Sequence, residues 1–142
     1  FKFWHMVKDV QKQILPAHIA ESAILKIESC TDAFGTVLFF EDQDVISALQ
    51  KKKPLQAHDF VLWSEQTSGM AQFAVWTAIS SVGLGASLHH YNPAINEQTT
   101  KMLSLPESWE FKAQLTFGST HESPKDKEQE EDETMFKVFN TL

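Results

Sequence analysis

His89 and His90 follow directly on Gly83-Leu84-Gly85-Ala86-Ser87-Leu88, the stretch of this chain richest in residues suited to chemistry. Neighbouring histidines on a strand point to opposite faces, so the pair cannot chelate one metal ion between them. One is expected to be hydrogen-bonded in the core or at the surface, and the other to face a cleft. Gly83-x-Gly85 lacks the third glycine of a dinucleotide fingerprint and precedes a strand instead of a helix. A helix stop followed by a tight turn explains it better, and its glycines allow something flat to approach the next strand closely. There is no Gly-x-Ser-x-Gly elbow, and Cys30 lies among Glu28 and Asp32, whose charge opposes a thiolate, so Cys30 is read as structural. Trp63-Ser64-Glu65 could be chemical, but Ser64 or Thr67 as a helix cap with Glu65 in the first turn is the favoured reading. His5, His18, His58 and His121 are scattered without ligand spacing, and no metal site is expected.

These residues need elements to hold them. Apolar positions at Phe3, Val7, Val10 and Ile14 predict a helix to Leu15, after which Pro16 either breaks it or opens the next. Ala17–Phe34 repeats the pattern with Ile19, Ala20, Ala23, Ile24 and Ile27, and Gly35 reads as its stop. Thr36–Phe40 suits a central strand buried on both faces. Asp42–Lys52 is a polar amphipathic helix. From Gln66 to Asn96 there is no Asp, Glu, Lys or Arg, so the stretch is expected to be mostly interior. Its helix through Met70, Phe73 and Trp76 is apolar nearly all round, yet too short to span a membrane. Burial in its own core and against a second subunit fits it. A strand Ala86–His90, the Asn92-Pro93 turn and a helix Ala94–Leu103 follow. Trp109, Phe111, Ala113, Leu115 and Phe117 then alternate with polar residues, as in a strand with one apolar face. Gly118–Thr134 is acidic and reads as a solvated arm, and Met135–Phe139 as an apolar patch able to dock on a partner.

The chain has 142 residues, which is enough for one domain, and a formal charge of −7. All 12 of its basic residues are lysines, so the arginine contacts and positive surface of a nucleic-acid binder are missing. One cysteine and no leader-like start point to the cytoplasm. The first residue is Phe1, already within a helical pattern, and a segment upstream of it is expected.

Phe60-x-x-Trp63-Ser64-Glu65-Gln66-x-x-Gly69-Met70-Ala71, then Trp76, Gly83-Leu84-Gly85-Ala86-Ser87-Leu88-His89-His90-Tyr91-Asn92-Pro93, Leu105-Pro106-x-x-Trp109 and Phe136-Lys137-Val138-Phe139 together resemble the nitroreductase family, in its short fatty-acid-repression-mutant branch. The resemblance covers nearly the whole chain. It implies an α+β fold with a central, mostly antiparallel sheet sandwiched by helices, in a homodimer with FMN in clefts at the subunit interface. It further implies reduction of nitroaromatic or quinone compounds by NAD(P)H in a ping-pong hydride transfer, where the protein orients and polarises the flavin and supplies no acid, base or nucleophile. By the same resemblance Leu88, His89 and His90 lie near the ring and Lys127 faces the phosphate. Phe60, Trp63, Trp76 and Tyr91 belong to the substrate cleft or the dimer interface. Three departures stand out: the family's phosphate- and ring-binding N-terminal segments would precede Phe1, Met135 replaces a usual arginine, and His89 stands where glutamine is common. They keep open a non-catalytic dimerising relative and a small apolar-ligand module.

Overall fold

A computed structural model of the chain describes residues 2–120, 122, 126, 128 and 135–139. Its sheet is built around a late strand. Among the described residues there are three strands, β1 (Gly35–Asp42), β2 (Gly85–His89) and β3 (Trp109–Gly118), with β3 in the middle and antiparallel to both neighbours. The expectation that Thr36–Phe40 forms the central strand is therefore corrected. β1 is an edge, half-buried along its length, because helices cover its faces while its outer edge has no neighbouring strand among the described residues.

Helices α1 (Lys2–Ile14) and α2 (Ala17–Thr31) pack on each other and on one face of the sheet. Pro16 sits immediately before α2 with φ −59° and ψ 143°, an extended residue whose carbonyl accepts from the amides of Ile19 and Ala20, both at 3.1 Å. It thus opens the second helix. The core on this side is Trp4, Val7, Ile27, Cys30, Ile95 and Phe111, flanked by Phe3, Met6, Val10, Ile24, Leu38 and Phe40. Helix α3 (Gln43–Lys52) follows β1 without a loop, because Asp42 accepts the Asp44 amide at 3.0 Å and caps it.

A short 3-10 turn at Pro54–Gln56 leads into α4 (Ala57–Ser81), 25 residues long, which runs against all three strands. Ser64 and Glu65 lie in its middle, which overturns the cap reading: the helix starts earlier, with Asp59 as its first-turn acid. The buried residues of α4 are Ser64 and Ser68, small side chains one turn apart, while Met70 and Phe73 are 71% and 72% exposed. The expected interior position of Gln66–Asn96 is therefore not met within one chain. Glu65 instead reaches β3, where it shares Lys112 with Glu110 at 2.5 and 2.8 Å.

The helix ends in a Schellman arrangement: Gly83 has φ +79°, its amide donates to Ser80 O at 3.0 Å, and the Leu84 amide donates to Ile79 O at 3.3 Å. The glycine stop read from the sequence is present. Helix α5 (Asn96–Leu103) lies between β2 and β3. The single apolar face expected for β3 is also corrected. The pairing skips a residue, since Phe39 faces Ala113 and Phe40 faces Phe111, and this bulge at Lys112 turns Phe111 towards Trp4 and Phe40.

Gln114, fully buried, ties the exit of β2 to the centre of the sheet: its Oε1 accepts the Tyr91 amide at 3.0 Å and its Nε2 donates to Asn92 Oδ1 at 2.7 Å. Asn92 in turn donates to Phe111 O at 2.5 Å. Gln114→Leu is expected to cost about 1–3 kcal/mol by stranding the Tyr91 amide. An unchanged urea midpoint would show that solvent satisfies that amide.

Candidate functional site

His89 is 6% exposed and faces the α1–α2 side of the sheet. Trp4 meets its ring edge-on at 5.6 Å, and Tyr91 stacks on it at 5.8 Å. His89 Nε2 lies 3.3 Å from Thr116 Oγ1 and 3.6 Å from Cys30 Sγ. The Thr116 hydroxyl donates to Ser87 O and the Cys30 thiol to Lys26 O, so Nε2 is the ring nitrogen that carries the proton and donates. Burial lowers the pKa of His89 from 6.5, helped by Lys26 and His90, and burial raises that of Cys30. The pair is therefore a neutral histidine beside a thiol whose ionisation burial opposes, a core hydrogen-bond set.

The lowered pKa has a measurable consequence. Below pH 6.5 the unfolded chain takes up a proton that folded His89 resists, so its contribution is complete above that pH and is lost as pH falls through the lower folded value. His89→Gln is expected to flatten the stability profile on the acid side of neutrality. Parallel melting curves for both proteins between neutral and mildly acid pH would refute this.

Leu88 and His90 stand on the other side of the strand from His89, half-buried and exposed respectively. The three residues assigned to the ring by resemblance are thus not gathered at one place. Phe60 and Trp63 meet edge-to-face at 5.4 Å on α4. Lys127 lies outside the described residues.

A cleft of about 1130 Å³ opens where α2, α4 and the sheet end together. Trp76 and Ser80 of α4, the backbone of Gly83–Ser87, the end of β3 at Thr116–Thr120, and Ser29, Asp32, Ala33 and Phe34 form its walls. Of the residues singled out by resemblance, Trp76 lines it. The segments Ser29–Phe34 and Thr116–Thr120 were missed. A glycine at the start of β1 and of β2 and another at the end of β3, all at one end of an antiparallel sheet, is the signal that could have found them. Gly35 and Gly118 serve close packing here: a Cβ on Gly35 would sit 2.8 Å from the Phe117 ring, and one on Gly118 3.2 Å from the Phe34 amide nitrogen.

Its walls, Trp76 and a glycine-rich strip of backbone, have the character that suits a flat apolar ligand. Among the described lining residues the charged ones are Asp32 and Glu122, with no lysine or histidine. Among the described residues there is also no group of three His, Cys, Asp or Glu able to hold a metal, and no helix long and apolar enough to cross a membrane.

No family model matches the chain. Solved structures do. Nitroreductase CinD from Lactococcus lactis in complex with chloramphenicol is 41% identical, with a TM-score of 0.87 over 98% of this chain and 70% of that one. The complex of CinD with 4-nitrophenol gives 44% identity and a TM-score of 0.79 over 87% of this chain and 66% of that one. In Saccharomyces cerevisiae, nitroreductase FRM2 is 37% identical over 101 residues, 70% of this chain and 51% of its own length. HBN1 of the same yeast is 40% identical over 96 residues, 68% of this chain and 49% of its own. The chain spans about half the length of the curated relatives it matches.

Proposed function

Because the chain belongs to the nitroreductase family, we propose that it forms the ring-facing part of an FMN-dependent reductase of nitroaromatic or quinone compounds, working as a cytoplasmic homodimer with NAD(P)H. The observation that carries this reading is the cleft between Trp76 and the Gly83–Ala86 backbone. CinD, which shares the fold at 41% identity, has been captured with small organic molecules, among them the nitroaromatic 4-nitrophenol. When bound, FMN supplies the hydride chemistry. This chain's residues do the positioning. Gly83 and Gly85 bring backbone close to a planar ligand, Trp76 offers an apolar wall, and the aromatic cluster of Trp4, His89 and Tyr91 holds the strand from behind. The exposed apolar side of α4 is the surface for the second subunit.

The lack of a cation among the described lining residues favours, as the alternative, a dimerising relative that has lost flavin chemistry. The test is NADPH oxidation by the purified chain in saturating FMN, with and without 4-nitrophenol or a quinone. Flavin-dependent oxidation accelerated by the acceptor is expected. No visible flavin spectrum after dialysis, together with no oxidation in excess FMN, would move the chain to the alternative.

A further inference from the structure

We propose that Phe34 selects the electron acceptors that the cleft takes, by stacking on electron-poor aromatic rings such as those of nitroaromatics and quinones. The inference rests on the proposed reduction of those compounds and adds the residue that discriminates among them. That residue lies outside the motifs that carry the family resemblance.

Phe34 ends the bend between α2 and β1 and is 84% exposed. A phenyl ring so placed buries little apolar surface, so core packing does not account for it. Its seat is nevertheless well defined. Gly118 brings β3 so close that a Cβ there would sit 3.2 Å from the Phe34 amide nitrogen. Phe117 meets the Phe34 ring at 5.8 Å and 55°, a tilted contact that supports one side of it. Phe117 in turn fills the space over Gly35, where a Cβ would come within 2.8 Å of its ring. Two glycines and a phenylalanine thus hold Phe34 in place while its ring remains open to a ligand.

Phe34 shares the cleft with Phe117 and Trp76, so the turn after α2, strand β3 and helix α4 each contribute one ring. Aromatic rings are negative on their faces and positive at their edges. A ring drained of electrons by a nitro group or by two carbonyls therefore stacks on a phenyl face better than a plain hydrocarbon ring of the same size. Trp76 and the Gly83–Ala86 backbone form the wall read above as the flavin's. Phe34 follows α2 and enters from that helix's side, where it offers the acceptor a ring of its own. One such contact amounts to roughly three- to tenfold in affinity.

The experiment is equilibrium dialysis of the purified chain, with saturating FMN on both sides, against nitrobenzene and against nitrocyclohexane. The second probe carries the same nitro group on a ring without π electrons. Nitrobenzene is expected to bind more tightly. Phe34→Leu keeps apolar bulk and is expected to weaken nitrobenzene roughly three- to tenfold, with nitrocyclohexane binding and the melting temperature unchanged. Phe34→Trp is expected to restore nitrobenzene binding. Equal affinity of the parent chain for both probes would overturn the inference and leave the acceptor site standing. So would a Phe34→Leu chain that binds nitrobenzene as the parent does, or that loses both probes equally. If the parent chain takes up neither probe, the inference and the proposed acceptor site both fail.

Discussion

Phe73→Asp is expected to leave the chain folded and to abolish the subunit pairing proposed above. Phe73 is 72% exposed on α4, in company with Met70 at 71%, Leu62 at 53% and Trp63 at 43%. A 25-residue helix that buries only two serines in its own chain leaves most of its apolar surface to water, more than an isolated soluble chain ordinarily tolerates. A carboxylate at Phe73 costs little in the free chain. In a two-fold interface it is buried twice, and roughly 3 kcal/mol per copy doubles to roughly 6, a weakening on the order of ten-thousand-fold. Sedimentation velocity reads the result directly. A variant that still sediments as a dimer would show that another face pairs the subunits.

Trp4→Ala carries the other large effect, this time on folding. Trp4 is 3% exposed, lies edge-on to Phe3, His89 and Tyr91, and donates from Nε1 to Thr36 Oγ1 at 2.9 Å. It is therefore the joint between α1, the edge strand β1 and the exit of β2. Truncation removes a large side chain from a closed core and is expected to cost about 3–5 kcal/mol, enough to unfold much of the population on mild heating. Trp4→Phe keeps most of the volume and gives up the hydrogen bond, so its loss should be a fraction of that. Equal melting points for Trp4→Ala and the parent chain would mean that α1 does not share the core in solution.

Local signals in the sequence were legible where one residue decides the outcome. Gly83 ends α4, Pro16 starts α2 and Asp42 stands at the junction of β1 and α3, each through its own backbone or side-chain chemistry. Opposite faces for His89 and His90 follow from strand alternation alone, and the buried member proves to be the hydrogen-bonded one. The order of strands was not legible, because Thr36–Phe40 has the composition of a central strand while its partner lies more than 70 residues away. Nor was the side of β3 that Phe111 takes, since a bulge reverses it without any mark in the alternating pattern. The apolar content of α4 predicted burial in its own core and against a second subunit, whereas within one chain its buried residues are Ser64 and Ser68. The cleft escaped for a related reason: Ser29–Phe34, Gly83–Ser87 and Thr116–Thr120 become neighbours only when the sheet closes.

The place of β3 between β1 and β2 also governs how this chain is made. The outer strands pair with β3 and not with each other, so among the described residues every rung of the ladder waits until Trp109–Gly118 has left the ribosome. Up to that moment a growing chain can hold helices, but its two edge strands wait as unpaired segments, with α4 unshielded beside them. Pairing Gly35 with Phe117 then closes a loop that holds α3, α4, β2 and α5, a late and entropically costly step. Synthesis halted at Pro106 would release a helical product with apolar surface and no sheet, a ready client for chaperones, whereas a dozen further residues complete all three strands at once.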